Sequence, residues 1–147
     1  MTQGVRVRIN TEKNGGSAAY DDLVERVRQA ASRATFLVLD QMEREAKMAA
    51  AGQFRGVGRL AGSIVVRKRG EMSGEVGPTV IYGRIQELGG TIFPRDKKVL
   101  HWVDAGGSHF AKHVTLPARP YLKPGVEATK PLIGKIFGAE LAKAVAE

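Results

Sequence analysis

Cysteine is absent from this chain of 147 residues. That excludes disulfides, a thiol nucleophile and any cysteine-based metal site, and it fits a reducing compartment. Long apolar runs are missing too: no stretch reaches the ~18 consecutive apolar residues that suggest a membrane-crossing helix. Residues 1–10 lack the charged-then-apolar plan of a secretory signal. A soluble, non-secreted protein with no membrane contact is expected. Aromatic residues make up only 6%, and Phe54, Phe93, Trp102 and Phe110 show no interleaving with bases of the kind that marks a base-stacking platform. Trp102, in "VLHWV", reads as a core or interface ring. Internal repeats, heptad runs and low-complexity segments are also lacking.

Acid is the charge in short supply: 15 Asp+Glu face 23 Lys+Arg, a formal net charge of +8. Such a surplus attracts polyanions and acidic partners without naming one. Its placement is uneven. Residues 21–50 are nearly balanced, whereas residues 53–70 carry Arg55, Arg59, Arg67, Lys68 and Arg69 with no acid. A solvated basic rim accounts for this as readily as a binding surface does. With 43% hydrophobic residues, the length fits one domain over 1–147 with a real core.

What is present is a clear order of elements. Residues 4–10, "GVRVRIN", alternate apolar and basic side chains as a half-buried strand does. A polar loop follows over residues 11–19. Leu23, Val27, Ala30, Ala34, Leu37, Val38, Met42 and Ala49 then recur at helical steps. Asp22 with Glu25 suits an N-cap and capping box, and Gly52 a C-terminal stop. Asp22/Arg26, Asp40/Arg44 and Glu43/Lys47 are i,i+4 pairs in the favourable acid-first order. Residues 52–62 are glycine-rich and read as a flexible loop. "SIVVRKR" and "EVG" form strands about a turn, and Ile85 and Leu88 mark a short helix ending at Gly89. "TIFP" and "KVLHWV" read as strands flanking a charged hairpin tip at Arg95, Asp96, Lys97 and Lys98. "HFAKHVTL" reads as one more strand, and a final amphipathic helix contains Pro131, which should kink it or delay its start. The fold class expected is α+β: a small antiparallel sheet with a long N-terminal helix packed on it, a short middle helix and a C-terminal helix.

Signals for chemistry are weak. Gly89 and Gly90 follow a helix and precede a strand, the reverse of a phosphate-binding loop, so a C-terminal stop with positive φ explains them better. His109 and His113 are four apart, but on a strand that separates them by roughly 13 Å, too far for one metal even with Asp104 and His101 nearby. No nucleophile elbow or clustered carboxylate pair occurs. No catalysis, metal or cofactor is expected. Glu87 is the least routine acid: it sits at the end of the short helix, where its charge mildly opposes the dipole, which suits pairing with a base of its own chain or a neighbour, although a solvated glutamate fits the sequence more readily.

"IYGRIQELGGTIFP" followed by "FAKHVTLPARPYLKPGVEA" resembles the phage virion-morphogenesis proteins, the tail-completion and neck family of Mu-like and lambdoid long-tailed phages. The matching elements are Tyr82, residues 87–90 and residues 117–124. Upstream, Gly58, Leu60, Ser63 and Ile64 match the family's loop-to-strand joint. Pro131 and the strand at 4–10 depart from the family pattern.

The resemblance implies a structural virion protein in a ring of identical subunits, a hexamer by the usual tail symmetry. Such a ring sits at the head–tail interface and is made in the host cytoplasm. Its partners would be the connector or head-completion protein and the tail tube or terminator protein, with non-specific contact to genomic DNA in the lumen. Candidate contact residues are Arg55 and Arg59 in the glycine-rich loop, Arg95, Lys97 and Lys98 at the hairpin tip, and Glu87, Arg119 and Tyr121, with Arg119 expected to pair with Glu87. Two alternatives stay open: a basic nucleic-acid-binding protein, and a tail-terminator ring.

Overall fold

The computed structural model describes residues 16–53 and 58–146. Helix α1 (Gly16–Gln53) is 38 residues long. It begins before the expected cap, because Ala18 and Ala19 favour helix and Asp22 is engaged inside it, paired with Arg26 at 3.0 Å. Its buried side chains are Ala30, Ala34, Val38, Ala46 and Ala50, a single row at four-residue steps along one face. Leu37, expected in that stripe, is 41% exposed. Small residues fill the row because helix α4 (Leu122–Ala146) crosses it closely. A Cβ on Gly125 would lie 2.8 Å from the backbone nitrogen of Ala46. The two helices run antiparallel. Gly125 near the start of α4 meets Ala46, while Ala144 near its end accepts a hydrogen bond from Arg26 at 2.9 Å.

Helix α2 (Gly58–Ser63) occupies part of the stretch expected as a loop. The reason is Leu60, which is fully buried with Ile64 against Ala46, Ala50 and Tyr121. Burial of each such aliphatic side chain contributes roughly 1.5–3 kcal/mol, enough to hold a single helical turn despite its glycines. Residues 54–57, and the strand read over 4–10, lie outside the described residues.

Strands β1 (Ile64–Gly70) and β2 (Ser73–Pro78) form an antiparallel ribbon on α1. Three contacts tie it there. The Val66 N–H donates to the Glu43 carboxylate at 2.9 Å. The Lys68 ammonium sits 4.4 Å from the Phe36 ring centroid. Gly74 leaves room for Leu39, whose Cδ1 would lie 2.6 Å from an added Cβ. Helix α3 (Gly83–Leu88) follows.

The remaining strands pair differently from the expectation. β3 (Gly90–Ile92) pairs with β6 (Val114–Leu116), and β4 (Leu100–Asp104) pairs with β5 (Gly107–Ala111). "HFAKHVTL" is therefore two strands rather than one, and β3 does not pair with β4. Local closure decides this. The Asp104 carboxylate accepts the Gly106 N–H at 2.7 Å, and Gly107 takes a φ of 109°, so the chain reverses tightly between β4 and β5. The result is one long, nested hairpin over residues 90–116. Arg95, Asp96, Lys97 and Lys98 lie at its irregular middle, not at its tip. The β4–β5 ribbon makes its close backbone contacts almost wholly within itself. The chain is α+β as expected, but the six strands among the described residues form three separate two-stranded sheets instead of one.

Candidate functional site

The two stretches that carry the family resemblance meet in space. α3 ends at Gly89, whose φ of 69° and ψ of −178° place it in a region open essentially to glycine alone. An added Cβ there would lie 2.6 Å from the Ala118 nitrogen. The backbone then enters β3, and its pairing with β6 brings residues 117–120 back beside α3. The Arg119 N–H donates to the Gln86 carbonyl at 2.8 Å.

Glu87 closes this joint. Its carboxylate accepts the backbone N–H of Tyr121 at 2.6 Å, of Leu122 at 2.9 Å and of Lys123 at 3.1 Å. These belong to the donors that the first turn of a helix leaves without an intrahelical partner. A negative charge is also favoured at that end of the α4 dipole, as the Arg26 cation is at the other end. The partner of Glu87 is thus the start of α4. Its expected ion pair with Arg119 does not form: Arg119 is exposed and, among the described residues, makes no ion pair. Proline at 117 and 120 directs the backbone, not the guanidinium, into the joint.

Tyr121 was expected at an interface; it is fully buried inside the chain. Its hydroxyl donates to the Gly83 carbonyl at 3.0 Å. Burial, with help from the Glu87 charge and then Tyr82, pushes its pKa up to about 12. Gly83 has no room for a side chain, since a Cβ would collide with Pro78 and approach the Tyr121 hydroxyl to 3.0 Å.

Outside the joint, α3 and the turn before it present an apolar surface. Ile81 is 98% exposed and Leu88 64% exposed. They border an open cleft of about 360 Å³ floored by Pro78, Val80 and Leu122. A second cleft of about 400 Å³ lies on the other side of Ile81 and Leu88, toward Gly90 and Thr91.

The other expected site residues are scattered. Arg59 is exposed on α2, and Arg95, Lys97 and Lys98 are exposed between β3 and β4. Arg55 and Phe54 lie outside the described residues. Trp102 is not a core residue but sits on the β4–β5 ribbon, 39% exposed. Among the described residues, no cluster of three or more His, Asp or Glu is placed to hold a metal ion, and no helix is long and apolar enough to cross a membrane.

Charge pairing divides the molecule. On α1, β1, β2 and α4, several acids hold bases: Arg33 and Lys143 hold Glu140 at 3.3 and 2.6 Å, and Arg69 holds Glu75 at 2.5 Å, although Asp21, Glu25, Asp40 and Glu45 make no ion pair among the described residues. Lys143 first and Arg33 second hold the Glu140 carboxyl below its ordinary pKa. Residues 79–124 contrast with this. They carry seven Lys+Arg against three acids, and among the described residues none of those seven bases makes an ion pair.

Comparison of the chain with protein-family models, with curated proteins and with solved structures finds no match in any of the three.

Proposed function

We propose that this protein is a structural subunit of the ring that joins head to tail in a long-tailed phage, built from identical copies associating head-to-tail. The observation that carries the reading is the apolar surface of α3 and the turn before it. Ile81 and Leu88 stand out into solvent beside two clefts, in the segment whose sequence resembles the neck and tail-completion proteins. Adjoining exposed apolar side chains beside a cleft are the usual mark of a protein contact. A contact in which one copy's α3 surface meets a different face of the next closes into a ring when the rotation closes. The β1–β2 and β3–β6 sheets support the same reading. Each has strand edges with no strand partner among the described residues, and unpaired edges are templates for a neighbouring chain.

In this reading the Glu87 joint is the frame and the α3 surface is the contact. No chemistry is assigned to either. The decisive test is electron microscopy of particles from a phage that encodes this chain, with the reading frame deleted. Full heads beside separate, finished tails support the joining role, and normally joined virions overturn it. Complementation with Ile81→Asp, Leu88→Asp should fail to restore joining although the variant folds, since both side chains are exposed.

A further inference from the structure

Two rings face each side of the β4–β5 ribbon. The register sets His101 opposite Phe110 and Trp102 opposite His109. His101 and Phe110 stack with centroids 4.5 Å apart at 19°, and Trp102 and His109 at 5.3 Å and 17°. Adjacent positions on a strand point to opposite faces, so each face of the ribbon carries one flat, paired ring surface. Phe110 is 67% exposed and Trp102 39% exposed. At the root of the ribbon stand Arg95, Lys97 and Lys98 on one side and Lys112 on the other, all exposed and, among the described residues, none in an ion pair. At ~3.3 Å per residue along a strand, Lys98 and Lys112 lie within roughly 15 Å of the rings.

We infer that this ribbon is a nucleic-acid contact, in which phosphates sit on Arg95, Lys97, Lys98 and Lys112 while unpaired bases stack on Trp102 and Phe110. Flat exposed rings beside cations that outnumber the neighbouring acids, Asp96 and Asp104, are the arrangement that binds single strands with little regard to sequence. A second copy of the chain is a poorer occupant. Each copy carries a net charge of +8, which opposes the close approach of a second copy to this basic ribbon. The inference does not depend on the ring reading: a neck ring and a free protein would both expose the ribbon to a nucleic acid.

Trp102 is the only tryptophan in the chain, so its emission reports on the ribbon alone. The experiment titrates the intact protein with an oligothymidine of about 20 nucleotides, longer than the ~4–16-nucleotide sites typical of single-strand binders. A duplex of equal length is run beside it. The expected result is saturable quenching of Trp102 by the single strand, with weaker quenching by the duplex. Four phosphate contacts give a slope of log affinity against log salt of about −3, at ~0.7 per phosphate for single strands.

Phe110→Ala should weaken binding by roughly fivefold or more, the loss expected for one stacked base. Lys97→Gln with Lys98→Gln should reduce the salt slope by about 1.4. Unchanged melting temperatures show that these exposed substitutions leave the fold intact. Binding without quenching, or no binding, overturns the inference. So does a Trp102 emission that shifts with protein concentration in the absence of nucleic acid, which would make the ribbon a contact between copies.

Discussion

Removing the Glu87 carboxylate should unlatch α4 from α3, and the structure allows the cost to be worked out. In Glu87→Ala, three backbone donors lose their acceptor at once. The Lys123 N–H is exposed and water replaces its bond at little cost. The Tyr121 N–H belongs to a fully buried residue, and an orphaned buried donor costs about 1–3 kcal/mol. Loss of a helix cap costs about 1 kcal/mol, and loss of a charge at the helix end a further ~0.5 kcal/mol. These terms overlap, so the expected total is about 3 kcal/mol, or roughly 10 °C in melting temperature for a chain of this size. Glu87→Gln keeps an oxygen facing Tyr121 and Leu122 but loses the charge and the second acceptor. About half the loss is expected there.

Thermal unfolding followed by circular dichroism at neutral pH measures both variants. Glu127→Ala, which removes only a surface pair with Lys130, serves as the control and should leave the melt unchanged. A second readout follows the Glu87 charge, taken at pH values where circular dichroism shows the variant still folded. The Glu87 charge helps to raise the Tyr121 pKa, so tyrosinate absorbance should appear at lower pH in Glu87→Gln than in the parent. A Glu87→Ala protein melting within a degree or two of the parent would refute the argument that this carboxylate caps α4.

Gly125→Val places side-chain atoms against Ala46, where a Cβ alone already lies 3.0 Å from the Ala46 Cβ. The helices must separate, and a loss of about 2–3 kcal/mol is expected in urea unfolding. Tyr121→Phe removes the hydrogen bond to Gly83 and should cost about 1 kcal/mol at neutral pH. Because the folded pKa of Tyr121 is raised to about 12 from 10.0, its contribution is complete below pH 10 and is lost as pH climbs toward 12. Tyr121→Phe should accordingly flatten alkaline unfolding in that window. The carboxyl of Glu140 has the opposite sign. Its folded pKa lies below 4.5, so the unfolded chain takes up the proton first and stability falls as pH drops below that value. Melting temperatures measured from pH 5 downward should fall less steeply in Glu140→Gln.

The parts of the fold legible in the sequence are those set by local periodicity. α1, the β1–β2 ribbon, α3 and α4 all appear where apolar spacing puts them; of the three expected i,i+4 pairs, Asp22/Arg26 and Glu43/Lys47 form and Asp40/Arg44 does not. The misses have physical causes of two kinds. In one, a tertiary contact overrides a local signal. Leu60 is buried and turns a glycine-rich stretch into α2, and α4 begins at Leu122, well before Pro131, because Glu87 supplies its cap from elsewhere in the chain. No reading of residues 117–124 alone shows an acceptor more than thirty positions away. The one local hint was Glu87, an acid placed against the dipole of its own helix, but the sequence reads as readily with a solvated carboxylate and offers Arg119 rather than the α4 backbone as its partner.

The second kind comes from pairing register. In sequence, Trp102, His101, His109 and Phe110 are scattered rings with no basic-aromatic interleaving. The tight reversal at Asp104 and Gly106 sets them opposite one another two by two, and the ring surfaces exist only once that register is fixed. A shift by one residue would move each ring on β5 to the other face. It would separate Trp102 from His109 and His101 from Phe110 together, and both surfaces would be lost. The turn therefore controls the proposed contact. Inserting one glycine after Gly106 should abolish Trp102 quenching while α1 and α4, which do not depend on the ribbon, keep the protein folded.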